Sequence, residues 1–219
     1  MPGASDALTY TARVTTSPPS TPPPHDPRDD ELRALIAAGE IDRATDDTIR
    51  AYGPELIGWL CSIFTTEADA HDAFSRMSEE LWKSFGRFDG RCSVRTWCYM
   101  LARHAASHVR KRPSTQREVL VSSIPSVAHA ATHVWNTTQR RDAHAADVYT
   151  EIRRQLDDDD QLLLVLRVDR NLPWRDIAHV VLGEDASGDD ITKKAAALRK
   201  QFERVKERLR ELAALHLRD

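Results

Sequence analysis

The chain has 219 residues, 31 basic and 34 acidic side chains, a formal net charge of −3 and 41% hydrophobic residues. This composition is typical of a soluble, charge-rich protein with one domain or, as we expect here, two small ones. No apolar run approaches the roughly 20 residues of a transmembrane helix, and the N-terminus lacks the pattern of a signal peptide. Three cysteines without a framework spacing favour a reducing compartment. These features argue against a secreted disulfide scaffold and against a membrane-spanning protein, and we expect a cytoplasmic location.

The first 30 residues predict a disordered tail. Residues 1–27 hold seven of the eleven prolines, mixed with Ser and Thr, and almost no large apolar side chains. Such a segment buries too little surface to offset the entropy that ordering would cost. Helical periodicity begins at Glu31, and Gly39 can close the short first helix.

Apolar residues spaced by three and four predict three longer helices in the next part of the chain. The first covers about residues 48–64, the second includes residues 70–85, and the third ends in a basic run just before Pro113. A loop with two glycines, residues 86–93, separates the second helix from the third. We therefore expect an all-helical domain over residues 31–112.

The third of these helices has two contrasting faces when it is projected at 100° per residue. Trp97 lies on the apolar face, where core packing is favoured over stacking on a base. The opposite face is polar and basic, and it suits phosphate groups through charge and through the fork geometry of arginine. A solvated charged surface is the alternative. The basic residues that follow one another here without an intervening acid are Arg103, Arg110, Lys111, Arg112 and Arg117.

A second helical domain is predicted over residues 142–216, after a linker at residues 113–141 that holds one short helical turn. Its elements run helix, four-residue turn, helix, loop and basic helix, which is the order of a helix-turn-helix unit. The acidic cluster at residues 157–160 is interpreted as a helix cap in preference to a metal site. No strand pattern occurs, so the predicted fold is all-α with two small domains.

The last helix, from about Asp190 to Leu215, carries the clearest basic face. Eight basic residues stand against two acidic ones between Lys193 and Arg210. Apolar residues spaced by four and three define the other face, which is either a domain core or a coiled-coil seam. The stripe is shorter than three heptads and contains an aromatic residue, which favours a core. The basic side is then available to a phosphate backbone, with Lys193, Lys200 and Arg204 projecting together.

Signals for enzymatic chemistry are weak. The chain has no glycine-rich phosphate loop, no nucleophile elbow and no His-Glu-x-x-His pair. Cys92, Cys98, His104 and His108 have the composition of a metal site, but their spacing matches no common zinc pattern. We expect neither enzymatic activity nor a cofactor or metal ion.

Several motifs together resemble bacterial RNA polymerase sigma factors of the sigma-70 family, in the extracytoplasmic-function group. Three segments resemble region 2 of these proteins: Asp69 to Trp82, FDGRCSVRTW at 88–97, and LARH at 101–104. Two more resemble region 4: LPWRDIA at 172–178 and VKERLR at 205–210. The two matches follow the family's order, with a linker between them.

The resemblance implies an all-helical promoter-recognition protein. Its first domain binds the beta-prime clamp of core RNA polymerase, and the loop and third helix of that domain read and open the −10 element. The second domain binds the −35 element, and the beta flap is its expected contact on the polymerase. An anti-sigma factor is a further candidate partner. The implied polymerase contacts are Asp69, Asp72, Ser75 and Arg76. The implied −10 contacts are Phe88, Arg91, Ser93, Arg95, Thr96, Tyr99, Arg103, His104, Arg110, Lys111 and Arg112. The implied −35 contacts are Trp174, Arg175, Lys193, Lys194, Ala197, Arg199, Lys200 and Arg204.

The chain departs from the family pattern in three places. Ser75 and Arg76 stand where the family usually has Gln and Glu, and Pro173 replaces the usual serine at a helix start. The turn after Leu182 is about ten residues longer than usual and is acidic, with residues 184–190 expected to point away from DNA.

The sequence leaves two alternative functions open: a stand-alone helix-turn-helix regulator, and a sigma-like adaptor that does not open promoters.

Overall fold

The computed structural model describes residues 26–64, 66–111 and 155–216, apart from the side chains of residues 213, 215 and 216. Within these ranges every regular element is a helix, which confirms the all-α prediction. The described residues belong to two compact units, the first over residues 26–111 and the second over residues 155–216. Of the predicted tail over residues 1–30, residues 1–25 lie outside the described residues, as do the linker with its short turn and the beginning of the second helical unit near Asp142. The last residues of the predicted tail are helical from Pro27 onward, so the prediction of disorder is wrong there.

Helix α1 (Pro27–Ala37) opens the first unit and begins earlier than the expected Glu31. The reason is a cap: the Asp26 carboxylate accepts the amide of Arg28 at 3.1 Å, which satisfies a free N–H of the first turn. The helix closes at Gly39 as predicted, where the backbone takes a left-handed φ of 76°.

The next two helices are α2 (Ile41–Ile63) and α3 (Glu67–Ser84). Helix α2 begins well before the predicted Thr48, because its first turns also pack into the core, where Ala44 is fully buried. Helix α3 begins at a cap formed by Thr66, whose hydroxyl accepts the amide of Asp69 at 3.2 Å. A single 3₁₀ turn, Phe85–Arg87, then leads into the predicted loop.

Helix α4 (Val94–Lys111) is the central element of the first unit, and it packs against α1, α2 and α3. Trp97 is 4% exposed, and its indole nitrogen donates to the Ser84 hydroxyl at 3.1 Å. The core interpretation of this tryptophan is therefore confirmed. Because three helices surround α4, its N-terminal half is buried on nearly every side.

The second unit contains α5 (Asp158–Leu164), which continues as a π-helical turn, followed by α6 (Trp174–Leu182) and α7 (Gly188–His216). The Asp157 carboxylate accepts the amide of Asp160 at 2.8 Å, so the acidic cluster does cap a helix. Helix α7 packs against α5 and α6 with its apolar stripe. The buried residues of that stripe, which confirm the core interpretation over a coiled-coil seam, are Leu198, Phe202, Val205 and Leu209.

The turn between α6 and α7 is shorter than the acidic insert suggested. Gly183 ends α6 with a φ of 92°, and Ser187 begins α7 by accepting the amide of Asp190 at 3.2 Å. Asp189 and Asp190 therefore form the first turn of α7, so the expectation that the acidic stretch forms one long turn is wrong. The cap favours helix over loop from Gly188 onward.

Candidate polymerase and promoter interface

The loop between α3 and α4 is fixed by contacts within itself. The amide of Arg91 donates to the Asp89 carboxylate at 3.1 Å, and Gly90 has a left-handed φ of 74°. Ser93 caps α4, since its hydroxyl accepts the amide of Thr96 at 3.0 Å. The side chains of Asp89 and Arg91 remain exposed, so the loop offers polar groups on a rigid turn.

Phe88 is the aromatic residue that packs the start of this loop against the core. Its ring lies edge-on to Trp97, with ring centres 5.4 Å apart, and to Phe85 at 6.4 Å. The guanidinium of Arg33 lies 5.4 Å from the centre of the same ring. Phe88, which was predicted to contact the −10 element, is half-buried and anchors the loop to the core.

Two residues of α1 that the sequence analysis did not single out also hold this loop. Arg33 donates to the carbonyl oxygens of Gly90 at 3.2 Å and Cys92 at 2.5 Å. Asp29 accepts from Arg33 at 2.6 Å and from the amide of Val94 at 2.6 Å. The spacing of Asp29 and Arg33 indicates a pair on one helix. The contacts of Arg33 with Gly90 and Cys92 span 57 and 59 residues of the chain, and no local sequence pattern predicts them.

Two of the predicted −10 residues on α4 are core residues. Thr96 and Tyr99 are both 0% exposed, so their placement on a DNA-facing side is wrong. The helical projection assumed one packed face, whereas α2 and α3 cover α4 from two sides. Tyr99 instead packs beside Trp59, with ring centres 6.0 Å apart.

Two basic residues of α4 bind other parts of the protein. Arg95 forms a bidentate ion pair with Glu55, at 2.7 and 2.9 Å, and its side chain is 25% exposed. Arg110 donates to the carbonyl of Ile63 at 3.0 Å and lies over the ring of Phe64. Both residues therefore join α4 to α2, and Arg110 caps the C-terminus of that helix.

The surface of α4 that reaches solvent is its C-terminal half. His104 and Lys111 are exposed, and Arg103 is half-buried at the margin of the core. Arg112 lies outside the described residues. The basic surface predicted for this helix therefore consists, among the described residues, of Arg103, His104, Arg110 and Lys111, with Arg91 exposed on the loop. Arg110 is exposed even though it also binds the end of α2.

Three of the four predicted polymerase contacts on α3 are buried. Asp69, Asp72 and Ser75 are 7%, 6% and 4% exposed, and only Arg76 of this group is half-exposed. The expectation of an exposed Asp72 is wrong, because α3 packs against both α2 and α4 and few of its residues point outward. The outward face of α3 includes Arg76, Glu79, Glu80 and Lys83.

Helix α7 divides into a packed side and an exposed side, as predicted. Lys193, Arg199, Lys200 and Arg204 are exposed, and Lys194 is half-exposed. Two small exposed residues, Ala196 and Ala197, lie between these cations. Lys206 is an exception to the basic surface. It is buried, pairs with Glu203 at 2.7 Å and lies beside the Phe202 ring.

Trp174 connects α6 to α7 more than it faces outward. Its ring is edge-on to Phe202 at 5.5 Å, and the guanidinium of Arg167 lies 4.8 Å from its centre. Arg167 also donates to the carbonyl of Leu172 at 2.9 Å. Burial and the nearby charge of Arg199 lower the pKa of Arg167. Arg175, by contrast, is exposed at the start of α6.

No group of three or more His, Cys, Asp or Glu side chains within the described ranges is arranged to hold a metal ion. Among those same ranges, no helix is long and apolar enough to cross a membrane.

Residues 48–115 match the family model of sigma-70 region 2. The matched segment includes most of α2, all of α3, the loop and all of α4. This match supports a sigma-70 family sigma factor. It also supports a role of this region in promoter recognition and melting. The partners that this role implies are core RNA polymerase and promoter DNA. No curated protein and no solved structure gives a significant match to the chain.

Proposed function

We propose that this chain is a sigma factor of the extracytoplasmic-function group, which directs core RNA polymerase to specific promoters in the cytoplasm. The match of residues 48–115 to sigma-70 region 2 carries this proposal. Its finer parts are supported by the sequence resemblance and by the chemistry of the exposed surfaces. In this role the chain supplies binding surfaces, and no catalysis is required of it.

The −10 element is read by the loop and by the C-terminal half of α4. The exposed Arg91, His104 and Lys111, with the half-buried Arg103, can hold phosphates and base edges of an opened strand. Arg95, Thr96 and Tyr99 act from within, because they fix α4 against its neighbours. Recognition thus depends on fewer side chains than the resemblance implies.

The −35 element is bound by α7. Lys193, Lys200 and Arg204 contact the phosphate backbone, while the exposed Ala196 and Ala197 let the helix approach base edges in the major groove. The opposite side of α7 is the packed stripe, so the unit can bind DNA without opening its core.

Polymerase is bound through the outward face of α3, in which Arg76, Glu79, Glu80 and Lys83 replace the buried Asp72 as contacts for the beta-prime clamp. A helix face that carries both acidic and basic side chains suits an interface with a charged partner. The second unit contacts the beta flap. An anti-sigma factor that covers either surface would block transcription.

Reconstitution of the full-length chain with core polymerase tests this proposal. We expect co-purification with the polymerase and transcripts whose mapped 5′ ends lie downstream of shared −10 and −35 sequences. A Lys200→Ala, Arg204→Ala double variant is the control, since it should still bind polymerase but use these promoters poorly. Duplex binding without co-purification would indicate a stand-alone regulator. Polymerase binding without promoter-dependent starts would indicate an adaptor.

A further inference from the structure

Helix α1 lies outside the segment that matches sigma-70 region 2, so the match assigns it no role. We propose that Arg33 and Asp29 are positioning residues that hold the loop at residues 88–93 in the conformation that captures a −10 base. This inference rests on the proposed function, which gives that loop its part in promoter opening.

Arg33 binds the loop by a fork. Its two terminal nitrogens donate to the carbonyls of Gly90 at 3.2 Å and Cys92 at 2.5 Å, while Nε donates to Asp29 at 2.6 Å. The planar guanidinium holds both carbonyls at a fixed separation, and charge-assisted bonds of this kind are stronger than neutral ones. The curvature of the loop is thus set from outside the loop.

Gly90 complements this fork in two ways. Its φ of 74° lies in the left-handed region that side chains other than glycine rarely adopt. A Cβ added at this position would also lie 2.8 Å from the terminal nitrogen Nη1 of Arg33. The close approach of Arg33 to the backbone therefore depends on the missing side chain.

Asp29 links Arg33 to the start of α4. One oxygen binds Arg33 and the other accepts the amide of Val94 at 2.6 Å, the first residue of that helix. With its side chain only 14% exposed, the carboxylate is shielded from water and held in place. Phe88 is fixed beneath Arg33 at the opposite end of the loop. A loop held at both ends loses little conformational entropy when it binds DNA.

The test compares holoenzymes assembled with wild-type chain and with Arg33→Ala. The probe is a single-stranded oligonucleotide that carries the non-template −10 sequence of the strongest promoter found by mapping transcript starts. A scrambled oligonucleotide of equal composition measures unspecific binding. We expect the preference for the −10 sequence to fall about tenfold with Arg33→Ala, since its two charge-assisted hydrogen bonds to the loop are lost. Affinity for core polymerase should be unchanged.

Two further variants separate positioning from charge and from folding. Arg33→Lys keeps the charge but cannot form the fork, so it should behave more like Arg33→Ala than like wild type. Arg28→Ala is the matched control, because this arginine of α1 contacts Asp26 and Tyr52 and not the loop. If Arg33→Ala does not fold, the preference of Arg33→Lys for the −10 sequence tests the positioning role.

Gly90→Ala should also lower the preference for the −10 sequence. The double variant with Arg33→Ala should lose less of this preference than the two single variants lose together, because both changes break the same contact between Arg33 and Gly90. If wild type prefers the −10 oligonucleotide and both Arg33 variants keep that preference, the positioning role is overturned. If wild type starts transcripts at promoters but shows no preference, the loop is not the −10 reader. The proposed function then fails at that point, and this inference fails with it.

Discussion

Helices α4 and α7 look alike in sequence, since each combines an apolar stripe with basic residues, yet their basic residues lie in different environments. In α4, Arg95 and Arg110 bind α2, and the supposedly polar Thr96 and Tyr99 are buried. In α7 the corresponding side is exposed along most of its length. The difference lies in the neighbours: α4 packs against three helices, whereas α7 packs mainly against α5 and α6. A basic residue is therefore a candidate DNA contact only where its helix has an open side.

The largest effect is expected for Tyr99→Ala, which tests whether the buried side of α4 is a core. Removing a fully buried aromatic ring leaves a cavity, and the free energy of unfolding should fall by about 4 kcal/mol. Thermal or urea denaturation measures this change. His104→Ala, on the exposed side of the same helix, should change it by less than about 0.5 kcal/mol. Equal stability of the two variants would contradict the buried position of Tyr99.

A smaller loss is expected for Arg95→Ala, which leaves Glu55 without its bidentate partner. Both side chains are largely buried, so we expect a loss of about 2 kcal/mol in the free energy of unfolding. The Glu55→Gln, Arg95→Ala double variant should lose less than the two single changes combined. Arg95→Ala that lowers DNA affinity but leaves the denaturation midpoint unchanged would restore Arg95 as a promoter contact.

These cases show what the sequence could and could not predict. The end of α1 at Gly39 and the two faces of α7 follow from local signals, namely a left-handed glycine and an amphipathic stripe packed on one side. The burial of Tyr99 and the contacts of Arg33 depend on segments distant in the chain. A projection of one helix carries no information about how many neighbours enclose it. The site was therefore predicted best on α7, which packs on one side, and least well on α4, which three helices enclose.

The exposed side of α7 gives the third prediction, which concerns DNA affinity and not stability. Lys200→Ala and Arg204→Ala should each lower the slope of log affinity against log salt by about one unit, because one phosphate contact is lost. Arg210→Ala is the control, since Arg210 pairs with Glu207 at 2.7 Å. Fluorescence anisotropy with duplex −35 DNA across a salt series measures these slopes. Three equal slopes would remove the distinction between the basic face and the rest of α7.

The smallest effect concerns thiol reactivity and changes neither fold nor binding. Cys98 on α4 is fully buried, and burial raises the pKa of its thiol, whereas Cys61 on α2 is exposed. Because the thiolate is the reactive form, iodoacetamide at pH 8 should label Cys61 and spare Cys98 until the chain is denatured. Mass spectrometry of the native protein reads out both sites. Rapid labelling of Cys98 would show that α4 opens readily to solvent.

The capped start of α7 has a consequence for how the duplex can approach it. Asp189 and Asp190 place carboxylates at the end of the helix where free amides and the helix dipole would otherwise attract an anion. Ser187 and Asp190 already satisfy part of that end through their mutual hydrogen bonds. A DNA phosphate is therefore kept from the tip of the helix. If α7 binds the −35 element as proposed, its base contacts begin about one helical turn further along, at Lys193, and its footprint on the groove is displaced toward the C-terminus.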